Sequence, residues 1–269
     1  RLLRWLAVVV LLCAALAPAH ARRLALVIGN DGYLHTEKLR NARNDSAAMG
    51  RALQEAGFTV TREQDLGRDA LYKAIDRFVL QVGKDDEVVF YFAGHGVQID
   101  AAPYLLPIDI RPDSARQLAR DALPLEAVLA DLSKARYSLV VVDACRNNPF
   151  AAEGRRGLGA ERGLQPIEPP EGMAVMLSAG RGQTALDSLG GGDRESNGLF
   201  TRELVKVMAE PGVPVRDLLL KVRDAVEQRA ATVSHKQRPA LIDESRGQFF
   251  FHAPKAAVAP TFLPLENMV

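Results

Sequence analysis

Short unbroken apolar runs alternate along this chain with segments whose apolar residues recur every three or four positions. That alternation restricts the fold more than any other feature. Leu24-Ala25-Leu26-Val27-Ile28, Val88-Val89-Phe90-Tyr91-Phe92, Leu139-Val140-Val141-Val142 and Met173-Ala174-Val175-Met176-Leu177 consist of aliphatic and aromatic residues alone. A strand with one wet face alternates apolar and polar side chains, so an unbroken run reads as a strand covered on both faces. Between these runs, Asn44 or Asp45 can cap a helix that continues to about residue 56 and stops at Gly57. Residues 69–82 carry Leu71, Ile75, Phe78, Val79 and Val82 as one helical stripe before Gly83. Residues 58–62 read as a further strand, 123–135, 199–208 and 215–229 as helices, and 249–251 as a last strand. The pattern predicts an α/β fold of three layers, a mostly parallel central β-sheet with helices on both faces. In such sheets ligands sit beyond the carboxyl ends of the strands.

The 269 residues suit one large domain or one domain with tails, and 48% hydrophobic with 25% charged residues is an ordinary globular composition. A net charge of +1 and the lack of a basic stripe argue against a nucleic-acid surface. The amino-terminal residues read separately from the rest. Arg1 and Arg4 precede an almost wholly apolar run over 6–16, then Pro18-Ala19-His20-Ala21. This is the pattern of a signal peptide over 1–21, cut after Ala21, with export to a periplasmic or secreted location. The run is shorter than the roughly 20 residues that span a bilayer, which weighs against a retained anchor and against stable membrane association after cleavage. Cleavage leaves 32 basic against 33 acidic residues and removes Cys13, so Cys145 becomes a lone thiol in a disulfide-permissive compartment. Such a thiol is either buried and inert or functional. The expected domain covers 22–253. Residues 151–170 and 186–197 read as exposed loops, and 254–269 as a poorly ordered tail.

Two apolar strands end in residues that carry chemistry. Val88-Val89-Phe90-Tyr91-Phe92 runs into Ala93-Gly94-His95-Gly96, and Leu139-Val140-Val141-Val142 runs into Asp143-Ala144-Cys145-Arg146. If these strands are parallel neighbours, His95 and Cys145 meet at one rim. A thiol is a weak nucleophile until a base takes its proton, and an imidazole can do so. The glycines around His95 let backbone approach a substrate carbonyl, and the amides of Gly96 and Cys145 are candidate donors to an oxyanion. Asp143 can also be read as an acid that orients His95. Taken singly, the cysteine reads as a small buried hydrophobe and the histidine as a turn residue; at corresponding strand ends they read as a catalytic pair. One cysteine and scattered histidines have no metal-ligand spacing, no acidic loop has calcium spacing, and no Gly-x-Gly-x-x-Gly follows the first strand. The sequence calls for no metal and no cofactor.

On these residues the chain resembles the caspase-like cysteine peptidases (peptidase C14). Leu24-Ala25-Leu26-Val27-Ile28-Gly29-Asn30 and Leu39-Arg40-Asn41-Ala42-Arg43-Asn44-Asp45 resemble that family's opening strand and first helix, and the similarity extends over about 23–251. Asp-x-Cys-Arg is closer to paracaspases and their bacterial relatives than to metacaspases, and departs from the Gln that animal caspases place two residues before the cysteine. The resemblance implies a caspase-like sandwich with His95 as base, Cys145 as nucleophile and the Gly96 amide in the oxyanion hole. It implies that Asp45 and Asp143 line the pocket for the residue before the cut, and that Ser178, Ala179 and Gly180 offer a backbone edge to an extended substrate. Two carboxylates reward a guanidinium or ammonium and reject an anion. The implied function is a cysteine endopeptidase that cuts after Arg, or Lys, through a thioester; its partners are peptides or proteins with a basic residue before the cut. An idle caspase-like binding module is the competing reading. The glycine-rich loop after Cys145 carries Arg155, Arg156 and Arg162, residues such a pocket would accept, and self-cleavage there is expected.

Overall fold

The computed structural model of the protein describes residues 21–99, 102–111, 113–145, 167–180 and 182–254. In chain order the elements are β1 (Arg23–Gly29), α1 (Ala42–Glu55), β2 (Thr59–Gln64), α2 (Arg68–Val79), β3 (Glu87–Ile99), β4 (Ala102–Leu105), α3 (Ala115–Asp121), β5 (Leu123–Pro124), α4 (Leu125–Leu132), β6 (Tyr137–Cys145), β7 (Met173–Leu177), α5 (Leu199–Met208), α6 (Val215–Ala231) and β8 (Ala240–Asp243). The main sheet runs β2-β1-β3-β6-β7-β8. Its first five strands are parallel neighbours, and β8 closes the edge antiparallel to β7.

The unbroken apolar runs are explained by cover on both faces. Successive side chains of a strand point to opposite faces. Leu24, Leu26, Ile28, Val88, Phe90, Phe92, Val140 and Val142 pack with residues of α2 and α4. The alternate positions, Ala25, Val27, Val89, Tyr91, Ala93, Leu139 and Val141, pack against α1, α5 and α6. The result is the three-layer α/β sandwich expected from the sequence. Among the described residues, no helix is long and apolar enough to cross a membrane.

Several boundaries differ from expectation, each for a tertiary reason. Residues 88–92 read as a strand, but β3 continues to Ile99. Beyond the parallel sheet its partner becomes β4, antiparallel from Gly96↔Leu105 to Ile99↔Ala102. A separate core of Tyr33, Val97, Ile99, Leu106, Ile110, Leu118 and Ala122 supports this extension. The helix expected over 123–135 is shorter, because Leu123 and Pro124 first pair with Tyr104 and Leu105 of β4. Residues 249–251 form no strand. Phe249 instead stacks on Tyr137 with centroids 4.5 Å apart and meets Phe58 and Phe251 edge-on. The last strand is β8, half-buried along its whole length.

The sequence predicts Asn44 or Asp45 as the cap of α1, but the helix already begins at Ala42. Its cap comes from Asp31, whose Oδ1 accepts the Ala42 N–H at 2.8 Å and whose Oδ2 accepts the Arg43 N–H at 3.2 Å. Asp45 is therefore not the cap and is available for another role. Gly29, at the end of β1, allows this helix to lie close: a Cβ there would stand 2.4 Å from the Ala42 carbonyl oxygen and 2.5 Å from Ser46 Oγ.

Candidate active site

β3 and β6 are parallel neighbours in the register Ala93↔Asp143, Gly94↔Ala144, His95↔Cys145. Adjacent strands lie about 4.8 Å apart, so the histidine and cysteine positions stand side by side at the carboxyl end of the sheet. Position 95 follows Tyr91 and Ala93 onto the face covered by α1 and α5.

The environment of His95 selects its protonation state. Its side chain is buried, and Nε2 lies 2.8 Å from the Glu37 carbonyl oxygen. A carbonyl only accepts, so Nε2 carries the proton and Nδ1 keeps its lone pair. Burial pulls the imidazole below its ordinary value, while the Glu37 carbonyl works in the opposite sense. A neutral ring with one free lone pair is a proton acceptor at neutral pH. Tyr33 holds the same residue from another side. Its hydroxyl accepts the His95 N–H at 2.7 Å and donates to the Leu106 carbonyl at 3.0 Å, and its ring packs on the imidazole with centroids 4.4 Å apart. At Gly94 a Cβ would stand 2.8 Å from the Tyr33 hydroxyl and from Phe92, which requires glycine there.

Backbone direction places the Gly96 amide. The Ala93 carbonyl accepts from Asn30 N–H at 2.9 Å, and the His95 carbonyl accepts from Leu106 N–H at 3.0 Å, both away from β6. Backbone groups of successive residues point to opposite edges of a strand, so the N–H of Gly96 is directed to the side on which Cys145 lies.

Beside this rim is a small, partly open cleft lined by Asp45, Asp143, Asp187, Gly94, Leu186 and Gly198. The structure thus brings Asp45 and Asp143, remote in sequence, to one cavity. Asp45 is buried, and its Oδ1 accepts from Asn197 Nδ2 and from the Gly198 N–H, each at 2.9 Å. Asp143 is half-buried, and its Oδ2 accepts from Thr201 Oγ1 at 2.7 Å. Burial, and then the charge of Asp143, pushes Asp45 up to about 8. Burial pushes Asp143 up to about 6 against the opposing Thr201 hydrogen bond. Two carboxylates confined in this way share the cost of ionisation, and a cation between them removes it.

The segment after β7 is divided in its availability. The Ser178 N–H donates to the Val142 carbonyl at 3.0 Å and its carbonyl accepts from Gln237 Nε2 at 2.9 Å, so both of its backbone groups are engaged inside the domain. The Gly180 carbonyl accepts from Gln183 N–H at 3.2 Å. Among the described residues, the Ala179 N–H and carbonyl and the Gly180 N–H have no hydrogen bond, and these are the groups open to a substrate strand. Gln237, fully buried, also accepts the Leu186 N–H at 3.0 Å and so ties the segment bearing Asp187 to the end of β7. The expected self-cleavage residues Arg155, Arg156 and Arg162, the signal-peptide residues 1–20 and the tail from 255 onward lie outside the described residues. Among the described residues, no group of three or more His, Cys, Asp or Glu is arranged to hold a metal ion.

Sequence reasoning missed Tyr33, the Glu37 carbonyl, Asp187, Asn197, Thr201 and Gln237. Glu37 acts through its backbone, for which side-chain identity is silent. Asp187 was read only as part of a loop, and its flanking glycines at 190–192 were the one local signal that the loop does something unusual.

A sheet that sets a histidine and a cysteine side by side at the carboxyl ends of two central parallel strands is the scaffold of the caspase-type cysteine peptidases. Residues 22–250 match the family model of the caspase domain, peptidase C14, and the chain belongs to that family of cysteine peptidases. Over 131 residues, 48% of this chain, it is 28% identical to the mucosa-associated lymphoid tissue lymphoma translocation protein 1 of Homo sapiens, covering 16% of that protein. It is equally similar to the homolog of that protein from Mus musculus, covering 15%. The chain therefore matches less than a fifth of the length of either relative.

Proposed function

We propose that this protein is a cysteine endopeptidase that cuts after Arg, or Lys, with Cys145 as nucleophile and His95 as base. The observation that supports this most is the register His95↔Cys145 beside a cleft lined by three carboxylates. In the proposed reaction His95 Nδ1 takes the Cys145 thiol proton, and the thiolate attacks the scissile carbonyl. The carbonyl π electrons move onto oxygen, which the N–H groups of Gly96 and Cys145 stabilise. As the C–N bond breaks, His95 returns the proton to the leaving amine and a thioester remains. His95 then takes a proton from water, whose oxygen attacks the thioester and releases the acid and Cys145. The backbone of Ala179 and Gly180 pairs with the extended substrate. Asp45 and Asp143 bind the guanidinium or ammonium of the residue before the cut, with Asp187 at the exposed rim. The amino-terminal pattern adds a proposal of export, with cleavage after Ala21; mass measurement of the exported protein tests it.

Matched peptides that differ only in the residue before the cut test the activity. Cleavage is expected after Arg and Lys, none after Asp, with turnover abolished in Cys145→Ala and in His95→Ala. Cleavage after Asp, or turnover by Cys145→Ala, overturns the reading.

A further inference from the structure

The reading of the cleft as a basic-residue pocket leaves one buried feature unused. Tyr91 and Thr201 are both fully buried, and their hydroxyl oxygens lie 2.5 Å apart. Thr201 Oγ1 also stands 2.7 Å from Asp143 Oδ2. We infer that Thr201 and Tyr91 are specificity-determining residues that keep Asp143 in its charged form, so that the cleft selects a cation over a neutral side chain of the same shape. This rests on the proposed basic-residue pocket.

The direction of the hydrogen bonds carries the argument. If Asp143 is a carboxylate it only accepts, so Thr201 donates its single hydroxyl hydrogen to Oδ2 and must accept from Tyr91. Every hydrogen in that chain has an acceptor. Protonation at Oδ2 would reverse the chain, with Thr201 donating to Tyr91 and the Tyr91 hydrogen left without an acceptor among its described partners, which is costly for a buried donor. Protonation at Oδ1 would leave the directions unchanged, but a hydrogen donated to Oδ2 is worth more when the acid is charged. The chain therefore favours the ionised acid, and each hydroxyl polarises the next. The helix adds to this. Thr201 is in the first turn of α5, whose amino-terminal Gly198 N–H bonds Asp45, so the positive end of that helix faces both acids.

The charged and titratable groups around Asp143 come from several elements. Asp187 opposes its ionisation, and the charge of Asp143 in turn raises Asp45 on α1. Tyr91 and His95 stand on the neighbouring strand β3. Asp187, which faces Arg40 and His95, lies on the segment before α5. Among those described in the cleft lining there is no basic side chain to hold Asp143 charged, which leaves the task to hydroxyl donors, Thr201 first and Ser178 after it, and to the helix.

The test compares matched peptides carrying Arg or citrulline, its neutral counterpart, before the cut. kcat/KM is measured from acid to neutral pH for wild type, Thr201→Val, Thr201→Ser and Tyr91→Phe. Loss of one hydrogen bond to a charged group predicts that Thr201→Val lowers the Arg-to-citrulline ratio by about tenfold or more and moves the acid limb for the Arg peptide up by about one pH unit. Thr201→Ser, which keeps the oxygen, restores both, and Tyr91→Phe shifts both in the same direction by less. If Thr201→Val does not fold, the double variant Thr201→Val/Tyr91→Phe, which leaves no lone hydroxyl in the core, takes its place with the same expectation. A wild type that cleaves both peptides equally overturns the basic pocket and this inference with it. A wild type that prefers Arg, with variants that keep its ratio and its acid limb, overturns this inference alone.

Discussion

Replacing Tyr33 by Phe removes one oxygen and leaves the ring that packs on His95. In the native protein that oxygen is the partner of two buried groups, the His95 N–H at 2.7 Å and the Leu106 carbonyl at 3.0 Å. After substitution the N–H has no partner, while the carbonyl keeps a long contact from Asn30 Nδ2 at 3.4 Å. Each buried group left unsatisfied costs about 1–3 kcal/mol. With one group wholly and one partly deprived, Tyr33→Phe is expected to destabilise the fold by about 2–4 kcal/mol. The only tryptophan is Trp5, inside the expected signal peptide, so urea unfolding is followed by far-ultraviolet circular dichroism. The midpoint should fall with an unchanged slope, because the exposed surface is the same. Since the lost bond holds the strand segment that carries the proposed base, kcat should fall at least about tenfold while KM changes little. A midpoint equivalent to less than about 0.5 kcal/mol of change, together with wild-type kcat, would refute the anchoring role, because that is the scatter of neutral surface substitutions.

Three further outcomes follow from the cleft and the loop after Cys145. Asp45 is raised from 3.8 to about 8, so between those values the native state holds a proton that the unfolded chain has released, and stability from this group falls as pH rises through the window. Asp45→Asn keeps an oxygen for Asn197 and Gly198 and cannot ionise; relative to wild type it should gain melting temperature steadily from acid to pH 8, and a parallel pair of curves would refute the assignment. At Gly198 an added Cβ would stand 3.3 Å from Asp45 Oδ2 and 3.8 Å from Asp143 Oδ2, so Gly198→Ala should raise KM for Arg peptides several-fold with kcat and melting temperature little changed; unaltered KM would place the substrate side chain elsewhere. Wild type and Cys145→Ala expressed side by side should differ in fragments cut after Arg155, Arg156 or Arg162; fragments in both would indicate an outside protease.

How much of this could be read from the chain alone varies from residue to residue. Met173–Leu177 and Leu199–Met208 were read to the residue, because an unbroken apolar run and a helical stripe are properties of a few consecutive positions. His95 and Cys145 were legible as a pair for the same reason: each follows its own apolar strand, and parallel strands align their carboxyl ends. The long β3 was not legible. The apolar run ends at Phe92, and only the partner β4 and the small core beneath it show that the strand goes on. The helix cap shows the same limit, since Asp31 reaches Ala42 across a loop while two nearer residues have the right chemistry.

What the sequence by itself determined was therefore which stretches become strands and helices, that the sheet is buried on both faces, and which two residues meet at the carboxyl ends of β3 and β6. Only the tertiary structure decided the state of those groups. The tautomer of His95 depends on a backbone carbonyl at Glu37, and any residue type would present that oxygen. The meeting of Asp45 with Asp143 depends on α1 lying close over Gly29. The charge of Asp143 depends on a hydroxyl of α5, 58 positions away in the chain. Periodicity is a local property that sequence displays directly, whereas protonation is set by desolvation and by partners brought together through the fold.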